Sequence, residues 1–334
     1  MKKRKLMTVL AGVGVAAFML AGCGDKKTEP ANADASASKE QTSEAAPEQE
    51  DEENYNTGDA SLDNTRNQDE IGEKELLVVS FGTSYNDNRR LTVGAIENSL
   101  EEKFQDYSVR RGFTSQIIID HVKSRDNVAI DNVKEALDRA VNNKVKTLVI
   151  QPTHLMDGLE YNDVVDEVAG YTDSFDQIAI GKPLLSSDED FNAVIKAITE
   201  DTKAYDDGET AICFMGHGTE AESNQVYSKM QTMLNDAGYK NYYVGTVEAA
   251  PSLDDVLASV KKGNYKRVVL QPLMIVAGDH ANNDMAGGEA DSWKSTFEKE
   301  GYQVETVLKG LGELPAVQEI FAEHAQAAID SLKK

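Results

Sequence analysis

Cysteine is nearly absent from this 334-residue chain, which has two, Cys23 and Cys213. That excludes a disulfide framework and any metal centre of clustered thiolates. Basic residues are also scarce: 34 Lys and Arg stand against 58 Asp and Glu, a net charge of −24. Such a surface repels the phosphates of nucleic acid, and it repels broad contact with anionic lipid. It does not repel a metal cation. After the first two dozen residues no apolar run is long enough to cross a membrane. No nucleophile elbow, Walker loop or dinucleotide-type glycine fingerprint is present, so nucleotide chemistry has no foothold.

The first 23 residues do have a pattern. Lys2, Lys3, Arg4 and Lys5 form a positive patch, and Met7 to Leu20 is uncharged and mostly apolar, the length of a signal h-region. Leu20-Ala21-Gly22-Cys23 then resembles a bacterial lipobox, which predicts cleavage after residue 22 and lipidation of Cys23. Loss of residues 1–22 removes four basic residues and takes the charge from −24 to −28. Residues 23–73 are acidic and poor in large apolar side chains, as in Glu48-Gln49-Glu50-Asp51-Glu52-Glu53. Such a stretch cannot offset its chain entropy by burial and reads as a disordered tether. The expectation is an extracytoplasmic domain held to the membrane by its lipid anchor alone.

From residue 74 strand and helix alternate. Leu76–Phe81, Thr147–Gln151, Gln177–Gly181, Thr210–Met215, Tyr242–Thr246 and Arg267–Gln271 read as short apolar strands. Leu91–Phe104, Val133–Val141, Asp190–Tyr205, Glu222–Ala237, Leu253–Lys262 and Val317–Leu332 read as helices. Near-continuous apolar strands between helices predict an α/β fold with parallel sheet covered on both faces. Cys213, inside the strand Thr210–Met215, reads as a buried structural thiol. A repeat divides the domain: Lys146–Pro152 matches Lys266–Pro272, and Val79–Thr83 parallels Cys213–His217. The pairing sets Thr83 opposite His217 and Glu160 opposite His280. It predicts two similar lobes, about 74–205 and 206–334, with a cleft beyond their strand ends.

Five histidines exist, so each can be weighed. His217 follows a buried strand in Gly216-His217-Gly218, where glycines admit a bulky flat ligand; the alternative is a ring closing a tight turn. His280 follows another strand, with Asp279 and Asp284 able to orient an imidazolium. Glu248 follows a third. Two imidazoles and a carboxylate suit a divalent first-row metal and leave coordination positions open. His154 reads as a secondary site residue or as packing, and His121 and His324 as structural or exposed.

These motifs resemble the anaerobic sirohydrochlorin cobaltochelatases. The resemblance is carried in order by Leu76–Ser84, Phe113-Thr114-Ser115, Pro183–Ser187, Met215–Gly218, Val244–Glu248, Asp291–Lys294 and Gly310–Glu313. Its most specific stretch is Pro272–Met285, which contains Gly278-Asp279-His280. It implies a class II chelatase with two flavodoxin-like lobes and a tetrapyrrole cleft between them. Such enzymes insert Co²⁺ into sirohydrochlorin without ATP, in the oxygen-independent route to cobalamin. It also implies that His217, Glu248 and His280 hold the metal. His217 would accept a pyrrole proton with His280 as base partner, and Co²⁺ is the expected substrate metal, although Ni²⁺, Fe²⁺ and Zn²⁺ suit the same ligands. By position, Phe81, Gly82, Thr83 and Ser84, with Arg89 behind them, are expected to contact macrocycle carboxylates; His154 and Glu160 are expected to face the same cleft. The leader and tether depart from a cytoplasmic enzyme. They keep open a surface-anchored protein that binds haem, another tetrapyrrole or a metal ion on the same scaffold. Oligomeric state is not legible.

Overall fold

A computed structural model describes residues 57–333; the leader, Cys23 and most of the expected tether lie outside the described residues. The first lobe runs β1 (Lys74–Ser80), α1 (Asn86–Leu91), α2 (Val93–Lys103), β2 (Ser108–Phe113), α3 (Gln116–Asp126), α4 (Val133–Asn142), β3 (Thr147–Pro152), α5 (Leu159–Ala169), β4 (Gln177–Ile180) and α6 (Asp188–Asp201). The second runs β5 (Thr210–Gly216), α7 (Gln225–Asp236), β6 (Tyr242–Thr246), α8 (Leu253–Val260), β7 (Arg267–Pro272), α9 (Trp293–Lys299) and β8 (Gln303–Thr306), and closes with α10 (Pro315–Ser331). Both sheets are four-stranded and parallel, in the orders β2-β1-β3-β4 and β6-β5-β7-β8. The α/β expectation and the internal repeat are both observed.

Strand periodicity decides which side chains meet. Leu76 and Val78 point into a core that also takes Ile212 and Phe214, so the inner faces of the two sheets share one apolar cluster through α2, α6, α7 and α10. Leu77 and Val79 point outward beneath α4 and α5. Cys213 and Met215 do the same beneath α8 and the packed Trp293 and Phe297 of α9. Cys213 is fully buried, and burial pushes its thiol pKa up, which makes it the inert packing residue expected.

The boundaries differ from expectation in two places. Residues 57–72 are not tether: Thr57 is buried, Asp87 donates its N–H to the Thr57 carbonyl, and Arg111 donates its N–H to the Arg66 carbonyl. The side chain of Asp63 enters the domain and accepts from Arg89 Nε at 2.7 Å and Arg111 Nη1 at 2.7 Å. Acidic composition read as a solvated spacer because its arginine partners lie tens of residues away. The second correction concerns α10. Although it follows the second sheet, it packs on α2, β3, β4 and α6 of the first, burying Val317, Phe321, Ala325 and Ile329. The inner face of the first sheet needs an apolar cover, and the chain returns from the other lobe to supply it.

Candidate functional site

The register of the sheets shows what stands where at the strand ends. Val79 pairs with Pro152 in one sheet and Met215 with Pro272 in the other, so Val79 corresponds to Met215. Two residues on, Phe81 therefore corresponds to His217. The backbone agrees: Ser115 donates its N–H to the Phe81 carbonyl as Glu248 does to the His217 carbonyl. The expected pairing of Thr83 with His217 is out by two residues, because it rested on the shared glycines and not on the Gln-Pro strands. The pairing of Glu160 with His280 stands, eight residues beyond each proline.

His217 sits where the chain leaves β5 between two glycines that only glycine can serve. A Cβ on Gly216 would lie 2.1 Å from the Tyr227 ring. Gly218 has φ +91°, and a Cβ there would lie 2.9 Å from the Ala249 amide nitrogen. That close approach brings the loop after β5 against the loop after β6, with Glu248 Oε2 3.7 Å from His217 Nδ1. His217 Nδ1 lies 2.8 Å from the Gly218 carbonyl, which accepts its proton and leaves Nε2 with a lone pair.

His280 stands at the start of a single π turn, Ala281–Met285, beyond β7. Its Nδ1 donates to Asp284 Oδ2 at 2.7 Å, and this hydrogen bond raises its pKa despite burial. The two imidazoles meet edge to face, ring centroids 4.7 Å apart. Ligand atoms of His217, Glu248 and His280 all lie within 4.8 Å of one another. Three ligands at metal-bond distance stand about 3.4 Å apart in a tetrahedral site, so closure needs side-chain shifts of under about 1 Å. The structure thus brings together three residues chosen from three separate loops.

The first-lobe candidates divide. Phe81 (44 %) and Glu160 (52 %) are exposed. Glu160 is close enough to raise the pKa of Tyr227 beyond the larger effect of burial, and Tyr227 Oη accepts the Gly218 N–H. Gly158, just before it, lies against Ser223 of the other lobe. The start of α5 therefore faces the loop that carries His217. Thr83 and Ser84 are buried, Thr83 against Gly278, while Gly82 takes φ +102° over the Phe113 ring. Arg89 is the clear correction. It is fully buried and donates to Asp63, the Thr83 carbonyl and Asn86, so its guanidinium braces the loop and offers nothing to a macrocycle. His154 is buried as well; burial pushes its pKa down to about 4, neither ring nitrogen has a hydrogen-bond partner, and Glu160 is 3.9 Å away. His324 joins α10 to Asp190 and the Lys182 carbonyl, and His121 is half-buried on α3.

Residues 74–330 match the family model described as Cobalt chelatase (CbiK). The chain is 36 % identical over 257 residues to the sirohydrochlorin cobaltochelatase of Salmonella typhimurium, covering 77 % of this chain and 97 % of that protein. It is 30 % identical over 276 residues to the sirohydrochlorin cobaltochelatase CbiKC of Nitratidesulfovibrio vulgaris, covering 81 % and 97 %. Among solved structures, SirB from Bacillus subtilis with Fe³⁺ superposes at TM-score 0.55 and 12 % identity, over 79 % of this chain and 98 % of that one. A multi-domain Deinococcus radiodurans protein with structural similarity to chelatases gives TM-score 0.52 at 14 % identity, over 76 % and 55 %. At such identities the likeness is one of fold.

Proposed function

The chain belongs to the cobalt chelatase (CbiK) family, and from that premise we propose that it inserts Co²⁺ into sirohydrochlorin. The observation that carries this reading is the convergence of His217, Glu248 and His280 at the ends of β5, β6 and β7, with ligand atoms within 4.8 Å. Two imidazole nitrogens and a carboxylate bind Co²⁺ without saturating it, so the ion can pass to a macrocycle. The glycines that flank His217 serve close packing against Tyr227 and Ala249, which holds the imidazole beside Glu248. Insertion releases two pyrrole protons. His217, its Nδ1 proton held by the Gly218 carbonyl, presents Nε2 as an acceptor, and Asp284 supports the charge on His280. Metal and proton compete for the His280 ring, so Co²⁺ binding weakens as pH falls through its raised pKa.

The leader supports a lipid-anchored, extracytoplasmic location, and that gives a second reading its footing: a surface protein that captures haem, another tetrapyrrole or a metal ion. Full-length protein mixed with sirohydrochlorin and Co²⁺ in the absence of oxygen separates the two. Insertion followed by absorbance should run well above the spontaneous rate and collapse in the His217→Ala, His280→Ala double variant. Tight binding with no acceleration would overturn the enzyme and leave the binding protein.

A further inference from the structure

The family match begins at residue 74, yet an ordered strap from Thr57 to Gly72 precedes it. The strap buries its own Arg66 and covers two further buried guanidiniums, Arg89 and Arg111. Glu97 accepts from Arg111 Nε and Nη2, both at 2.7 Å, and lies 3.3 Å from Arg66 Nε. Arg89 is hydrogen-bonded to Asp63 of the strap. A buried charge is tolerated where it is paired and its donors are used, and Asp63 meets that need for Arg89 and Arg111 together.

Arg89 passes this constraint on towards the second lobe. Its Nη1 donates to the Thr83 carbonyl at 3.1 Å and its Nη2 to Asn86 Oδ1 at 2.6 Å, closing the turn between β1 and α1. That turn and the start of α1 touch the other lobe. Asn88 Oδ1 accepts the Ala277 N–H at 2.8 Å, and Thr83 lies against Gly278. His280 follows two residues later.

We propose that Asp63 is a positioning residue: through Arg89 it fixes the turn 83–88 against residues 277–278, and so sets the first-lobe wall opposite the His280 loop. The strap is then a working part of the site. For its effect on turnover the inference rests on the chelatase reading; for its effect on structure it does not.

The test uses full-length Asp63→Asn and Asp63→Glu, read by hydrogen exchange and by sirohydrochlorin kinetics. In Asp63→Asn, exchange should quicken in 83–89 and 277–280, and KM should rise roughly tenfold with kcat changed less. Asp63→Glu, which keeps the charge, should recover part of both. If Asp63→Asn fails to fold, Arg89→Lys replaces it, since it leaves Asp63 on Arg111 but releases the turn. Faster exchange confined to 57–66, or spread evenly over the domain with KM unchanged, would overturn the proposal. A wild-type protein without chelatase activity would remove the kinetic reading alone, and the exchange pattern would still decide about Asp63.

Discussion

Phe81 and His217 occupy the same place in two sheets of one topology, as do Ser115 and Glu248, and Glu160 and His280. The second lobe has two imidazoles and a carboxylate at its three strand ends. The first has an exposed aromatic ring, a hydroxyl and one carboxylate. Deeper in the sheets the contrast reverses. Arg110, Arg111 and Glu75, all fully buried, stand where the second lobe has Tyr243, Val244 and Ala211. The lobe without the His217–Glu248–His280 cluster thus holds a dense internal ion network. The lobe with them has an ordinary apolar sheet and keeps its charges at the rim. A duplicated scaffold can assign ligation to one copy and wall-building to the other without changing topology.

The largest effect should come from the asymmetry itself. His217→Ala or His280→Ala should lower Co²⁺ insertion by about 10³-fold, because in the proposed mechanism each residue is both ligand and proton handler. Phe81→Ala, at the matching place in the other lobe, should raise KM for sirohydrochlorin about tenfold and leave kcat nearly intact. Anaerobic absorbance kinetics on the three variants would measure this. Equal losses at Phe81 and His217 would mean that the lobes share the chemistry.

Next comes the ion network. Arg111→Leu strands Glu97 and Asp63 without their common partner and should cost about 3–5 kcal/mol of stability in urea unfolding. Val244→Ala, the equivalent place in the second lobe, removes two methyl-sized groups and should cost about 1–2 kcal/mol. A smaller loss at Arg111 than at Val244 would show that the buried charges contribute nothing net to the first lobe.

Glu75 gives the comparison a pH axis. Burial, only partly offset by Arg110, raises its pKa from 4.5 to about 7. The folded state therefore holds a proton that the unfolded chain releases, so this group stabilises most below pH 4.5 and its contribution is lost as pH rises to about 7. The change should amount to about 3 kcal/mol. Calorimetric scans from pH 4.5 to 8 should show that stability falls in wild type relative to Glu75→Gln, whose side chain cannot ionise. Parallel curves would mean that Glu75 is ionised throughout.

The same asymmetry explains what was legible in the sequence. Strands β1, β3, β4, β5, β6 and β7 announced themselves as apolar runs, and the candidate triad was drawn from the residues that follow three of them. The strand β2, Ser-Val-Arg-Arg-Gly-Phe, did not, since two adjacent arginines read as surface until Asp131, Glu97 and Asp63 are seen around them. Asp63 was assigned to a solvated tether and Arg89 to macrocycle carboxylates for one reason: the partner of each lies elsewhere in the chain. The helix α3 was missed because its apolar Ile117–Ile119 run suits a strand equally well, and β8 because four half-exposed residues give little signal.

The smallest expected effect is also the sharpest on this point. Tyr243 corresponds to Arg110 and donates its hydroxyl to Tyr265 Oη at 3.1 Å. Tyr243→Phe removes one neutral hydrogen bond and keeps the ring, so it should cost about 1 kcal/mol. Arg110→Met, matched in shape but uncharged, leaves Asp131 with Arg139 yet strips Glu75 of its nearest cation. Glu75 can respond by remaining protonated, so the loss in Arg110→Met should be modest at pH 5 and grow as pH rises past 7. The loss in Tyr243→Phe should be the same at both. Chemical denaturation of the two variants at pH 5 and pH 8 reads the difference directly. A pH-independent loss at Arg110 would place Glu75 under the control of its surroundings alone, and the internal charges of the first lobe would then be neighbours without being a network.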